Sequence, residues 1–167
     1  MQILFGLRAA LSFGLGVLIT FTQAHTYGVG SAVLAGFGIL LGLSSLGYVL
    51  RVKKFQWLMP LLIIATLVGV LALVTFINQT LQEVLFLPLV ALFGLSFAAF
   101  EGYLARRHRG SSPLGRDFAI SAVLSLALGL VFLLAPLDEV SAVGFLGAYL
   151  AISGVFWGIT AASPQPK

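Results

Sequence analysis

The chain has 167 residues, of which 60% are hydrophobic and only 8% charged, with a net charge of +4. A soluble domain carries about 25% charged residues, so this chain lacks the polar surface to cover a globular fold, and the bilayer is its expected solvent. The absence of cysteine excludes a disulfide framework, a thiolate metal site and a cysteine nucleophile. The basic residues cluster between apolar runs and do not spread along one face, which argues against nucleic acid as a partner.

Six apolar segments follow in chain order, at residues 3–22, 28–50, 57–77, 84–103, 118–135 and 140–160. Each is close to the roughly 20 helical residues that cross a hydrocarbon core. Backbone groups in lipid must bond within their own segment, so each is expected to be a helix. The apolar/polar alternation of a membrane barrel is absent. The fold class is therefore an all-α integral membrane domain over residues 1–162, with a short tail at 163–167.

The first segment ends in Thr22-Gln23-Ala24, which loosely resembles a cleavage site. It lacks a basic start and its apolar run is long, so a spanning helix is the better reading. Pro60 and Pro88 fall near the starts of the third and fourth segments, Pro136 follows the fifth, and Pro113, Pro164 and Pro166 lie in a loop and the tail. No proline is expected in mid-span, where it would delete a backbone bond.

Orientation comes from the nine Lys and Arg residues. Arg51, Lys53 and Lys54 follow the second segment; Arg106, Arg107, Arg109 and Arg116 follow the fourth; Arg8 and Lys167 lie near the two termini. All fall on one side, which the positive-inside rule makes cytoplasmic, with both termini on that side of a bacterial plasma membrane. Glu83, Asp138 and Glu139 fall on the outer side. Pro136-Leu137-Asp138-Glu139 reads as a tight outer turn.

The segments group into three tandem helical hairpins, about 3–50, 57–103 and 117–160. A shift of 60 residues brings Gly69 onto Gly129, Ala91 onto Ala151, Gly94 onto Gly154 and Phe97 onto Trp157; a shift of 52 brings Gly42 onto Gly94. Such a repeat predicts a bundle with pseudo-three-fold symmetry about the membrane normal. Small residues one turn apart mark the second helix of each unit: Gly38 and Gly42, Gly94 and Ala98, Gly154 and Gly158. They let backbones approach closely, either inside one bundle or across a homo-oligomer face.

The stretches "AVLSLALGLVFLLAP" and "AVGFLGAYLAISGVFWGI" of the third hairpin resemble the repeat of the HdeD-like family of six-helix bacterial membrane proteins. The first two hairpins depart from it, with Gln23 or Phe76 at the Pro position. The resemblance implies a plasma-membrane protein linked to acid-stress tolerance, and it supplies no catalytic residues.

Chemistry is sparse. His25 and His108 are expected on opposite faces, each as a solvated loop histidine. Arg8 is expected to snorkel to the inner surface. Glu101 is expected to meet lipid headgroups or Arg106 and Arg107, and Asp117 to favour the start of the fifth segment from the N-terminal side of a helix. Ser12, Ser44, Ser45, Thr66, Ser96, Ser125 and Ser153 are the polar mid-span residues, and hydroxyls bond readily to their own helix. No catalytic, cofactor or metal site is expected. Under pseudo-three-fold packing, His25, Glu83, Asp138 and Glu139 would converge on an outer patch that titrates on acidification. Partners are the bilayer, anionic lipid at the basic loops, and a second copy or a larger complex.

The expected function is a non-enzymatic multi-pass membrane protein serving acid or envelope stress tolerance. The alternatives are an accessory subunit of a larger membrane complex and a small channel or transporter. The last is disfavoured by the lack of charge in the middle of the spans and would be revived by a hydrated cavity lined by hydroxyls.

Overall fold

A computed structural model describes residues 2–110 and 113–163, and the side chains of all of these except 53–55. The expected tail, Ser163 apart, lies outside the described residues. The described residues form six helices: α1 (Gln2–Phe21), α2 (Tyr27–Arg51), α3 (Met59–Ile77), α4 (Gln79–Arg107), α5 (Leu114–Leu134) and α6 (Glu139–Ala162). A 3-10 turn, Lys53–Leu58, precedes α3. All six helices are long and apolar enough to span a membrane. Their outward faces carry Ile3, Phe21, Leu67, Ile77, Val123, Leu134 and Ile159, all exposed. In water such a belt would be a severe penalty; in lipid it is the wetted surface.

The helix ends explain where the chain turns. Thr26, Asn78 and Asp138 stand at the N-caps of α2, α4 and α6, and their side chains accept from the backbone N–H groups of Val29, Leu81 and Ser141. Each satisfies a donor that the first turn of a helix leaves orphaned. Pro60 occupies the first turn of α3, where its missing N–H costs nothing. Pro88 differs from expectation. Helix α4 begins at Gln79, so Pro88 lies inside it rather than in its first turn. The polar first turns Gln79-Thr80-Leu81-Gln82-Glu83 are helical although hydropathy does not mark them as span.

The closest neighbours are not the two arms of each hairpin. The most extensive contacts join α2 to α3, α4 to α5, and α6 back to α1. Small residues make this possible. Gly38 lies against the backbone of Ala65 and Gly69. A Cβ on Gly94 would stand 2.6 Å from the amide nitrogen of Gly129, and one on Gly16 would stand 2.5 Å from that of Ala151. Gly42 packs on Thr66 and Gly154 on the backbone of Phe13. Ala98 is buried, and Gly158 makes ordinary contact with Ala9. By contrast Gly36 and Gly47 face open space. The glycine stripes are thus occupied within one chain.

The apolar core falls into two clusters. One contains Phe37, Leu41, Phe86, Phe93, Phe97, Leu128, Leu146 and Leu150. The other, toward the termini and the basic loops, contains Leu4, Phe5, Val49, Leu104, Leu114, Phe118 and Trp157. What separates them is polar.

Candidate functional site

Between the two clusters, five of the six helices place a polar side chain. Helix α1 supplies Arg8 and Ser12, α2 Ser45, α4 Glu101, α5 Ser121 and Ser125, and α6 Ser153, all of them buried. Each stands between an apolar residue of one cluster and an apolar residue of the other on the same helix, as Glu101 does between Phe97 and Leu104.

The centre of this layer is an ion pair. The Arg8 Nη2 lies 2.6 Å from Glu101 Oε1, and the two side chains are 5% and 0% exposed. Arg8 does not snorkel to the surface, and Glu101 meets neither headgroups nor Arg106 and Arg107. The reason is the helix face each occupies. Arg8 shares the stripe of Leu4, Phe5, Ser12, Gly16 and Ile19, all turned inward. Glu101 shares the stripe of Gly94, Phe97, Ala98 and Leu104. A charge on a packing stripe is carried into the bundle with its neighbours.

Such burial is costly, by several kcal/mol per ion, unless the remaining valences are met. Here several are. Ser125 Oγ donates to Glu101 Oε2 at 3.2 Å and lies 2.9 Å from the Tyr149 hydroxyl. Arg8 Nη2 reaches Ser121 Oγ at 3.5 Å. The guanidinium lies 4.4 Å from the centre of the Trp157 ring and 5.5 Å from that of Phe97. A desolvated cation over an aromatic face gains about 2 kcal/mol. The layer therefore ties α1, α4, α5 and α6 together.

Arg8 Nε, Ser12 Oγ and Ser45 Oγ of the layer, and Trp157 Nε1 beside it, are buried with no hydrogen-bond partner among the described residues, and Glu101 Oε1 is met by its ion pair with Arg8. Arg8 and Ser45 line a cavity of about 30 Å³ whose other walls are Leu4, Phe5, Leu41, Leu58, Leu61, Leu62 and Phe118.

At the opposite end, the start of α2 meets the starts of α4 and α6. Glu139 Oε1 accepts from the Tyr27 backbone N–H at 2.6 Å, joining the α1–α2 turn to the start of α6. The carboxylates of Glu139, Asp138 and Glu83 all lie close enough to the Tyr27 hydroxyl to act on it electrostatically. The Ser141 hydroxyl and then its backbone N–H, bonding to Asp138, hold that carboxyl below its usual range. His25 is half-buried two residues before Tyr27. His108, expected as a solvated loop residue, packs its ring against Trp57, with centroids 4.9 Å apart.

Among the described residues, no three His, Asp or Glu side chains gather as a metal site would require. The chain matches no family model, no curated protein and no solved structure.

Sequence reasoning missed the ion pair because its members stand far apart in the chain and each had a nearer explanation. The signal was nonetheless present. Both lie at helical spacing from glycines and serines on one face, and a charge in phase with a small-residue stripe points inward.

Proposed function

We propose that this chain is a non-enzymatic multi-pass protein of the bacterial plasma membrane, with both termini cytoplasmic, built as three tandem hairpins in a pseudo-three-fold bundle. The observation that carries the architecture is the spacing of the caps. Thr26, Asn78 and Asp138 cap α2, α4 and α6 through the third residue after each, and they are related by the same shifts of 52 and 60 residues that align the glycines. The closed order of helix pairs, α2 with α3, α4 with α5 and α6 with α1, supports the same plan. So do two apolar surface grooves. One lies between α3 and α4 at Leu71, Leu85, Pro88, Leu89 and Leu92. The other lies between α5 and α6 at Val131, Phe145, Ala148, Tyr149 and Ile152, which is each of those positions shifted by 60.

That plan is the HdeD-like one, and the role that goes with it is acid or envelope stress tolerance. The outer cluster of Glu83, Asp138 and Glu139 around Tyr27, with His25 beside it, is the acid-responsive face in this reading. The cytoplasmic end carries a cleft lined by Arg106, Arg109 and Arg116, a fit for anionic headgroups.

Two experiments test the reading. A reporter active only outside the cytoplasm should be active when fused after Gln79 or Glu139 and silent after Arg109; activity at Arg109 overturns the orientation. Replacing Glu83, Asp138, Glu139 and His25 together by Gln, Asn, Gln and Gln should abolish acid protection in a bacterial host that depends on the protein. Undiminished survival removes the outer face as the sensor.

The buried ion pair favours a second reading, a small conduction pathway. Ionisable residues inside a membrane bundle commonly mark ion or proton routes, and hydroxyls from α1, α2, α5 and α6 surround this one.

A further inference from the structure

We propose that the cavity between α1, α2 and α3 is a water-binding site that hydrates the interior ion pair, and that it admits nothing larger than water. Two observations meet there, the room and the unpaired groups. The cavity of about 30 Å³ exceeds the ~10–15 Å³ that one water needs. Arg8 and Ser45 line it, and the Nε–H of the one and the hydroxyl of the other have no hydrogen-bond partner among the described residues. Arg8 is 4% exposed and Ser45 1%, so bulk solvent does not serve them. A purely apolar cavity of this size stays dry; one with a guanidinium N–H and a hydroxyl facing it does not.

Water is favoured over an anion by charge. Glu101 already neutralises Arg8 at 2.6 Å, so an anion entering beside the pair would bring uncompensated charge into a low-dielectric interior. A water oxygen accepts from Arg8 Nε, and its protons reach the Ser45 oxygen, without adding charge. Water also completes the account of how the pair survives in lipid. Ser125 bonds the carboxylate at Oε2, and the cavity water serves the guanidinium at Nε. The hydration does not rest on the conduction reading. The size limit bears on it: what reaches this pair through the cavity is water, not an organic solute.

The test uses the full chain in lipid bilayers. Water-edited solid-state NMR should show polarisation reaching Arg8 Nε several-fold faster than it reaches the buried Leu34 and Val90 side chains. Ser45→Ala, which removes the hydroxyl without adding bulk, should slow that transfer, whereas Ser31→Ala, at a buried hydroxyl that does not line the cavity, should leave it unchanged. Transfer to Arg8 Nε as slow as to Leu34 overturns the proposal, and the parent protein alone decides this if Ser45→Ala fails to fold. The size limit has its own arm. The chain has no cysteine, so Ser45→Cys carries a single thiol. It should resist a bulky charged methanethiosulfonate reagent in the folded protein and react after unfolding. Rapid labelling in the folded state would mean a wider opening and would overturn the restriction to water.

Discussion

Gly38 of α2 lies against Ala65 and Gly69 of α3, and Gly94 of α4 lies against Ser125 and Gly129 of α5. The two contacts are built from the same kinds of residue at corresponding places. Around them the chemistry differs. Ser125 bonds Glu101 and Tyr149, while Ala65, at the matching position of α3, has no side-chain group to bond. Ser45 of α2 follows Gly38 by seven residues, as Glu101 follows Gly94, and it too is buried, but it carries no charge. Close helix packing in this bundle therefore needs no buried charge. The charges at α4 and α1 are an addition to a scaffold that packs without them, and an addition that costs desolvation is retained for specificity or for chemistry.

Removing one partner of the ion pair should have the largest effect on that comparison. Glu101→Ala leaves Arg8 buried and uncompensated, and the expected loss is about 3–5 kcal/mol of stability. Thermal unfolding in detergent measures it. The double variant Arg8→Met, Glu101→Met should recover most of the loss, because two apolar side chains of similar length replace both charges. If the double variant is as unstable as the single one, the pair is held for stability rather than for chemistry.

The glycine contacts come next. Gly94→Leu and Gly38→Leu should each overpack a backbone contact and cost about 1–3 kcal/mol. Gly36→Leu and Gly47→Leu, which meet open space, should cost far less. Equal unfolding temperatures for all four would mean that the helix pairs are looser than the close approach at Gly38 and Gly94 requires. Ser125→Ala should cost less again, about 1 kcal/mol, and should make α5 resemble α3 at that position. A loss as large as that of Glu101→Ala would make the hydroxyl, not the charge pair, the organiser of the layer.

Much of this was legible in the sequence, and the failures have physical causes. Apolar run length located all six helices, because lipid forces each run to close its own backbone bonds. It placed the start of α4 late, at residue 84 against Gln79, and that of α5 at 118 against Leu114. Hydropathy reports what is solvated by lipid, whereas helix is decided by caps. Asn78 starts α4 five residues before the apolar run does, and this is why Pro88 ends up inside the helix. The ion pair was missed for a different reason. Arg8 and Glu101 each sit within reach of a membrane surface along the chain, and depth alone made them look peripheral. Rotational phase decided otherwise, since both share a face with the small residues that pack. The glycine stripes were read with their partners open, and the partner helix in each case is not the other arm of the hairpin.

The smallest expected effect separates the three capped helix starts. Thr26, Asn78 and Asp138 make equivalent bonds to Val29, Leu81 and Ser141. Only Asp138 titrates. Bonds from the Ser141 hydroxyl and backbone N–H favour its ionised form in the fold, so its folded pKa lies below its unfolded value of about 3.9. A depressed carboxylate contributes stability that is fully present above the unfolded pKa and is lost as pH falls through the folded pKa. Asp138→Asn keeps a capping oxygen and removes the charge. The parent should therefore be the more stable of the two near neutrality, and the gap in unfolding temperature should close as pH drops below about 4. Asn78→Asp makes the complementary test, giving α4 a cap with the same acid-sensitive window. A gap between parent and Asp138→Asn that does not change from neutral to acid pH would show that this cap acts through shape alone, and the outer turns would then differ in sequence without differing in their response to acid.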